Sequence, residues 1–237
     1  FNLFIFGLFF GFGFYLSGIS WITNSLTFDE SFKVLIPFAL ILIPLFLSLF
    51  VAFTTLLIGT FIKLNFTSIL LFSASLAFSD YLRSKVLTGF PWNLWAYSTT
   101  WLNEILQITN LIGLYSYNLF VITMFTMPII IFFKISILKK IFISISYIFL
   151  TFSLFIFGNY EINKNEKNIK EVNNTVFVKV ISPNFDLGYG LDAMEIENRF
   201  KKLIRYSDPD KEKKTLFVWP EGVFSGYSYN EILKFKE

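Results

Sequence analysis

The sequence predicts a membrane protein: a multi-span α-helical bundle followed by the first part of an α/β domain. Three observations lead there. Hydrophobic residues fill 54% of the 237 positions and aromatic ones 21%, which is too apolar for an ordinary soluble chain. Charges are uneven, with 11 Asp, Glu, Lys and Arg in residues 1–158 and 26 in the last 79. The charged tail then reads as strand, helix, strand. The expected organisation is a bundle of about five spans over 1–158, a polar linker over 159–174 rich in Asn, Lys and Glu, and the α/β part over 175–237.

Roughly 20 mostly apolar residues cross a hydrocarbon core as helix. Phe1 to Phe28, Val34 to Ile62, Ile105 to Phe133 and Ile141 to Gly158 meet that length. Leu64 to Ser79 is shorter and runs into Asp80, Tyr81, Leu82 and Arg83, so it reads as a fifth span with a polar end. Loops between five spans alternate sides. Lys63, Lys134, Lys139 and Lys140 share one side with no acid, whereas Asp29, Glu30, Lys33, Asp80, Arg83, Lys85 and Glu104 share the other. The positive-inside tendency makes the first side cytoplasmic. The tail is then expected on the outer face.

Composition also removes function classes. The basic excess lies in the membrane half, seven Lys or Arg against four acids, and the tail holds thirteen of each sign. Nucleic-acid binding wants a basic face on a folded module, so no nucleic-acid partner is expected. The chain has no Cys and no His, which removes disulfides, thiolate metal sites and imidazole chemistry. A carboxylate metal site stays formally open, but no metal or cofactor is invoked. No Met precedes Phe1, and "EILKFKE" stops inside a helical pattern, so the chain is expected to be a fragment.

In the tail, "TVFVKVI", Thr175 to Ile181, alternates as a strand and is stopped by Ser182, Pro183 and Asn184. "DAMEIENRFKKLIRY" opens with Asp192 and Glu195 at capping-box spacing. Ile196, Phe200, Leu203 and Ile204 then share one helical face. "TLFVW", Thr215 to Trp219, reads as a second, buried strand. Such a unit predicts parallel strands joined by a right-handed crossover, with a site at their carboxyl ends. Glu221, two residues past Trp219, stands there between Pro220 and Gly222. Alone, a Glu after a strand is most often an acidic turn residue.

A second constellation is "GFPWNLWAY". Gly89 and Pro91 fix a turn, and Phe90, Trp92, Trp95 and Tyr97 place rings near Asp80, Arg83 and Lys85. Trp and Tyr favour membrane interfaces because one end of the ring is apolar and the other hydrogen-bonds, so an interfacial belt explains them without a site. Asp80 and Arg83, three apart, share a helical face and could pair. Arg83 could instead hold a phospholipid phosphate with its forked donors.

"VWPE", after a strand and helix of this layout, is similar to the first catalytic motif of the nitrilase, or carbon-nitrogen hydrolase, superfamily. "LRSKVLTGFPWNLWAYS", Leu82 to Ser98, resembles the signature of the bacterial apolipoprotein N-acyltransferases, a membrane-embedded branch of it. "LIGLYSYNLFV", "GFGFYLSGISWITNSL" and "VKVISPNF" resemble further segments of that family, in its order. "SPNFDLGYGL" departs from it: Ser182 stands where Gln is usual, and the family's lid Trp has no clear equivalent, with Tyr189 the nearest substitute.

The resemblance implies an α-β-β-α sandwich for the second domain. It also implies transfer of a fatty acyl chain from a phospholipid to the N-terminal amine of a diacylglyceryl-modified apolipoprotein. Glu221 would be the general base, a task that partial desolvation assists. The family's Lys and Cys nucleophile would lie beyond residue 237, leaving this chain inactive by itself. Phe90, Pro91, Trp92, Tyr97 and Arg83, with Tyr189 as lid, would form the substrate-binding surroundings. The implied location is the bacterial inner membrane, with the hydrolase domain on the periplasmic or outer face. A rival reading is a non-enzymatic transporter or lipid-binding scaffold with a degenerate hydrolase domain. Transporters usually place functional charges inside spans, and the clear spans here have none.

Overall fold

The computed structural model describes residues 1–86, 89–170, 176–186, 191–210, 212–224 and 226–235. They form two compact units, Phe1–Lys170 and Glu171–Glu237.

In the first unit, helix α1 spans Asn2–Ile19 and continues as 3-10 turns to Thr27. Helix α2, Ile36–Ile58, follows a 3-10 segment capped by Asp29, whose carboxylate accepts from the Ser31 amide. The two helices pack antiparallel along small residues. A Cβ at Gly11 would stand 3.0 Å from the Ser48 Cα, and one at Gly7 would collide with Thr55 and Ala52. Thr55 Oγ1 also donates to the Leu3 carbonyl across this seam at 2.9 Å. Between membrane helices there is little hydrophobic drive, so close backbone packing and such bonds hold the pair.

Helix α3, Phe66–Arg83, begins at Asn65, whose side chain accepts from the Ser68 amide. It lies against α2 and α5, the latter spanning Thr109–Thr126 after the short helix α4, Asn103–Leu106. At Gly113 (φ 77°) α5 leaves helical geometry, a conformation glycine adopts freely. Polar groups link the neighbours: Ser79 Oγ donates to the Phe50 carbonyl of α2, and Ser73 meets Thr126 of α5 at 3.2 Å. Buried Tyr15, Ile19, Leu47, Val51, Leu76, Ala77 and Ile122 form the central core.

Helix α6, Ile137–Lys170, passes beside α4 so closely that Gly158 has room for no side chain against the Glu104 carbonyl. Its apolar face, including Phe142, Ile148, Phe149 and Phe152, is exposed, as suits contact with lipid chains. Among the described residues, four helical stretches are long and apolar enough to cross a membrane: Asn2–Thr27, Glu30–Ile58, Thr109–Phe132 and Ile137–Lys170. The chain is a multi-pass membrane protein. Helix α3 is not among these four, because its face carries buried Ser68, Ser73, Ser79, Asp80 and Arg83. One expectation is corrected. The polar stretch expected as a linker remains helical through Lys170, where Asn163 bonds back to the Asn159 carbonyl and Lys164 pairs with Glu161; residues 171–174 lie outside the described residues.

In the second unit, β1, Phe177–Val180, and β2, Thr215–Val218, pair in parallel, with Phe177 opposite Thr215 and Val180 opposite Val218. Helix α7, Ala193–Ser207, connects them, and Asp192 caps it by accepting from the Glu195 amide at 2.7 Å. Glu195 does not complete the expected box, since its carboxylate bonds Arg199 instead. The buried face of α7 is Ile196, Arg199, Leu203 and Ser207, with Ile204 46% exposed rather than buried. Nor is β2 buried: Leu216 and Val218 are exposed, because in the described two-stranded sheet alternate side chains face away from α7. Helix α8, Tyr229–Ile232, carries a full capping box between Ser228 and Glu231.

Candidate functional site

Two polar constellations stand out, one in each unit. In the membrane unit the centre is Arg83, 1% exposed at the end of α3. Its Nη1 donates to the carbonyls of Phe90 and Trp92, both at 2.7 Å, and its Nη2 to Asp80 at 3.1 Å. The second oxygen of Asp80 accepts from Asn118 Nδ2 of α5 at 2.9 Å, and Asn118 Oδ1 accepts from the Ala96 amide at 2.9 Å. The guanidinium also lies 5.2 Å from the centre of the Tyr15 ring, a favourable cation–π arrangement. One buried cation thus joins α1, α3, α5 and the turn around Pro91.

This fixes the loop. Trp95 stacks on Phe14 with ring centres 4.5 Å apart, Trp92 meets Trp21 edge-on, and Asn93, in a left-handed conformation (φ 58°), fits against Gly18. Asn tolerates that conformation better than most residues. Pro91, Trp92 and Tyr97 remain exposed, while Phe90 is half-buried beside a cavity of about 150 Å³ that it shares with Ile43, Phe46 and Phe50 of α2. The aromatic residues therefore present a surface, and Arg83 does not. Both Nη atoms of Arg83 are bonded internally, to the loop backbone and to Asp80.

In the second unit, the segments after both strands converge. Ser182 to Phe185 and Pro220 to Val223 line a cavity of about 180 Å³, with Arg199 of α7 in its wall. Glu221 thus stands at the carboxyl ends of the parallel strands. Arg199 is held by Glu195 at 2.8 Å and donates to the Asp186 carbonyl at 2.8 Å, which fixes the segment after β1. Behind Glu221, Trp219 donates to Ser207 Oγ at 3.0 Å and packs among Phe200 and Phe224. Gly222 has φ 73°, so the backbone turns sharply beyond the carboxylate. Glu221 itself is exposed, so the desolvation expected to assist it is not supplied by the described residues. Tyr189 lies outside the described residues.

Sequence reasoning missed Asn118, Asn93 and Arg199. Arg199 was visible only as a charge at helical spacing from Glu195, and Asn118 as an uncharged polar residue inside an otherwise apolar span.

Residues 2–127 match the family model described as the apolipoprotein N-acyltransferase N-terminal domain. The chain belongs to this family. Similarity to curated apolipoprotein N-acyltransferases extends past the matched domain. The protein of that name from Brucella melitensis biotype 1 is 27% identical over 224 residues, covering 91% of this chain and 41% of its own length. That from Rickettsia prowazekii is 29% identical over 217 residues, with 91% and 42% covered. That from Rickettsia bellii is 34% identical over 117 residues, with 49% and 23% covered. The chain spans about two fifths of the length of the first two. No solved structure matches it significantly.

Proposed function

We propose that this chain is part of an enzyme that moves a fatty acyl chain from a phospholipid to the N-terminal amine of a lipid-modified cysteine on apolipoproteins. The carrying observation is the position of Glu221. It is a carboxylate at the carboxyl ends of two parallel strands, in a chain alignable over 91% of its length with proteins named apolipoprotein N-acyltransferase. In this reading a cysteine beyond residue 237 loses its thiol proton to Glu221 and attacks the acyl ester carbonyl. Glu221 returns that proton to the departing lysophospholipid alkoxide, so a thioester remains and the carboxylate is free again. The acceptor amine then attacks the thioester, Glu221 takes its proton, and the cysteine is released.

Phe90, Pro91, Trp92 and Tyr97 guide lipid chains at the membrane surface, with Arg83 holding their loop in shape and Tyr189 as the lid residue. Both substrates are membrane-anchored, which gives a physical reason for joining a hydrolase-type fold to a helical bundle. The protein resides in the bacterial inner membrane with its second unit on the periplasmic side, as the acid-free lysine cluster at Lys63 and Lys134 to Lys140 supports. A single cysteine at position 63, in a chain without native Cys, should react with impermeant reagent only from the cytoplasmic face; labelling from outside reverses the orientation.

The decisive experiment is Glu221→Gln in the full-length protein, which keeps shape and removes the base. General-base catalysis contributes roughly 10²–10⁴-fold, so acyl-enzyme formation from phospholipid should slow by that factor. Formation at the parent rate would refute the assignment.

A further inference from the structure

The end of the bundle remote from the aromatic loop carries a second feature. Helix α3 starts beside Lys63 and ends at Arg83, so its 18 residues separate the two ends by about 27 Å at 1.5 Å per residue. Near Lys63 a groove of about 390 Å³ opens between α3 and the segment from Phe125 to Phe133. That volume is within the roughly 300–1,000 Å³ typical of small-ligand sites. Its walls are Ile69, Phe72, Phe125, Ile129 and Phe133.

The two hydroxyls in the lining are already engaged. Ser68 Oγ accepts from the Lys63 amide at 2.8 Å, and Thr126 Oγ1 donates to the Ile122 carbonyl at 2.9 Å. The groove is thus suited to hydrocarbon and offers little to a polar ligand. Around it the charge has one sign. Lys63 lines the groove and is exposed, and exposed Lys134 follows directly on buried Phe133. Neither forms an ion pair among the described residues. Lys140, by contrast, is spent on the Ile131 carbonyl at 2.6 Å. No Asp or Glu occurs in residues 59–65 or 127–136.

We propose that this groove holds one acyl chain of an anionic phospholipid whose phosphate rests against Lys63 and Lys134. An apolar slot adjoining uncompensated cations fits both halves of such a molecule, and basic pockets between membrane helices bind anionic headgroups in this way. A second copy of the chain is a poorer occupant, because an isologous contact brings the same lysines of both copies together. The site is separate from the aromatic loop, being at the other end of α3, and does not depend on the acyl-transfer reading.

The test uses the full-length protein in nanodiscs of phosphatidylethanolamine containing phosphatidylglycerol with a photoreactive acyl chain. Cross-links should map to residues 62–72 and 125–133, and an equally labelled phosphatidylethanolamine should give far fewer. Each lysine near an anionic surface contributes about 1 kcal/mol, or roughly fivefold, so Lys63→Gln with Lys134→Gln should cut this labelling about 25-fold. Both side chains are exposed, so the fold should survive. Ile129→Trp, which fills the groove, should also reduce labelling while leaving both lysines. Equal capture of the two lipids, indifference to the lysine substitutions, or cross-links from these residues to protein instead of lipid would each overturn the proposal.

Discussion

The two polar constellations are built on opposite principles. Around Arg83 a cation and a carboxylate are buried, and Phe90, Trp92, Asn118 and Ala96 are enlisted to satisfy them. Around Glu221 the supporting residues are fixed, by Arg199 on one side and Trp219 on the other, while the carboxylate itself is exposed. The contrast teaches how to divide structure from chemistry. A charge that spends its hydrogen bonds on its own backbone holds a shape, whereas a carboxylate left open, as Glu221 is, takes no part in holding the fold.

The comparison can be broken most directly at Arg83. Removing one partner of a buried pair costs about 3–5 kcal/mol, so Arg83→Ala should lower unfolding stability in detergent by that amount. Arg83→Lys should lose much of it too, since one ammonium does not reproduce the planar fork. Glu221→Ala should shift stability by less than about 0.5 kcal/mol, as exposed substitutions do. Equal losses at both positions would erase the distinction. Next in size is the α1–α2 seam, where Gly11→Leu forces the helices apart against Ser48. Overpacking of this kind costs about 1–3 kcal/mol, measurable by the same unfolding.

A smaller effect should come from Ser207→Ala, which leaves the Trp219 indole without its acceptor. About 1 kcal/mol of the second unit's stability should go, read as faster amide exchange in β2. The smallest concerns pH. The carboxyl of Glu231 is held below its ordinary 4.5 by hydrogen bonds from the Ser228 side chain and amide. Because the folded form binds its proton less readily than the unfolded one, the stabilisation is present above 4.5 and is lost as pH falls through the lowered value. Amide protection in α8, taken as exchange relative to the intrinsic rate at each pH, should therefore fall on acidification below 4.5, and Ser228→Ala should flatten that dependence.

Much of the scaffold was legible from spacing alone. Runs of apolar residues located the four qualifying spans, alternation found β1, a short apolar run found β2, and Asp192 announced the start of α7. The Asp80–Arg83 pair was also readable, because three residues along a helix is a local distance. What escaped was non-local or compensated. Asn118 reaches Asp80 from 38 residues away, and no periodicity marks such a partner. The polar end of α6 looked like a linker because it is polar and rich in Asn, a poor helix former, yet Lys and Glu favour helix and side-chain bonds along it sustain the turns. Leu216 and Val218 looked buried because their type is apolar, but burial depends on what covers a sheet face. Glu221's placement followed from strand order, whereas Arg199 in the same cavity needed the fold to bring it there.

The 38-residue separation between Asp80 and Asn118 also sets a schedule for synthesis. At roughly 5–20 residues per second, Asp80 is made about 2–8 s before Asn118 exists. Through that interval the carboxylate has only Arg83, three residues on, to neutralise it. The nearest partner in sequence is therefore also the first in time, and the helix can enter the bilayer as a nearly neutral body before the bond to α5 locks it in place.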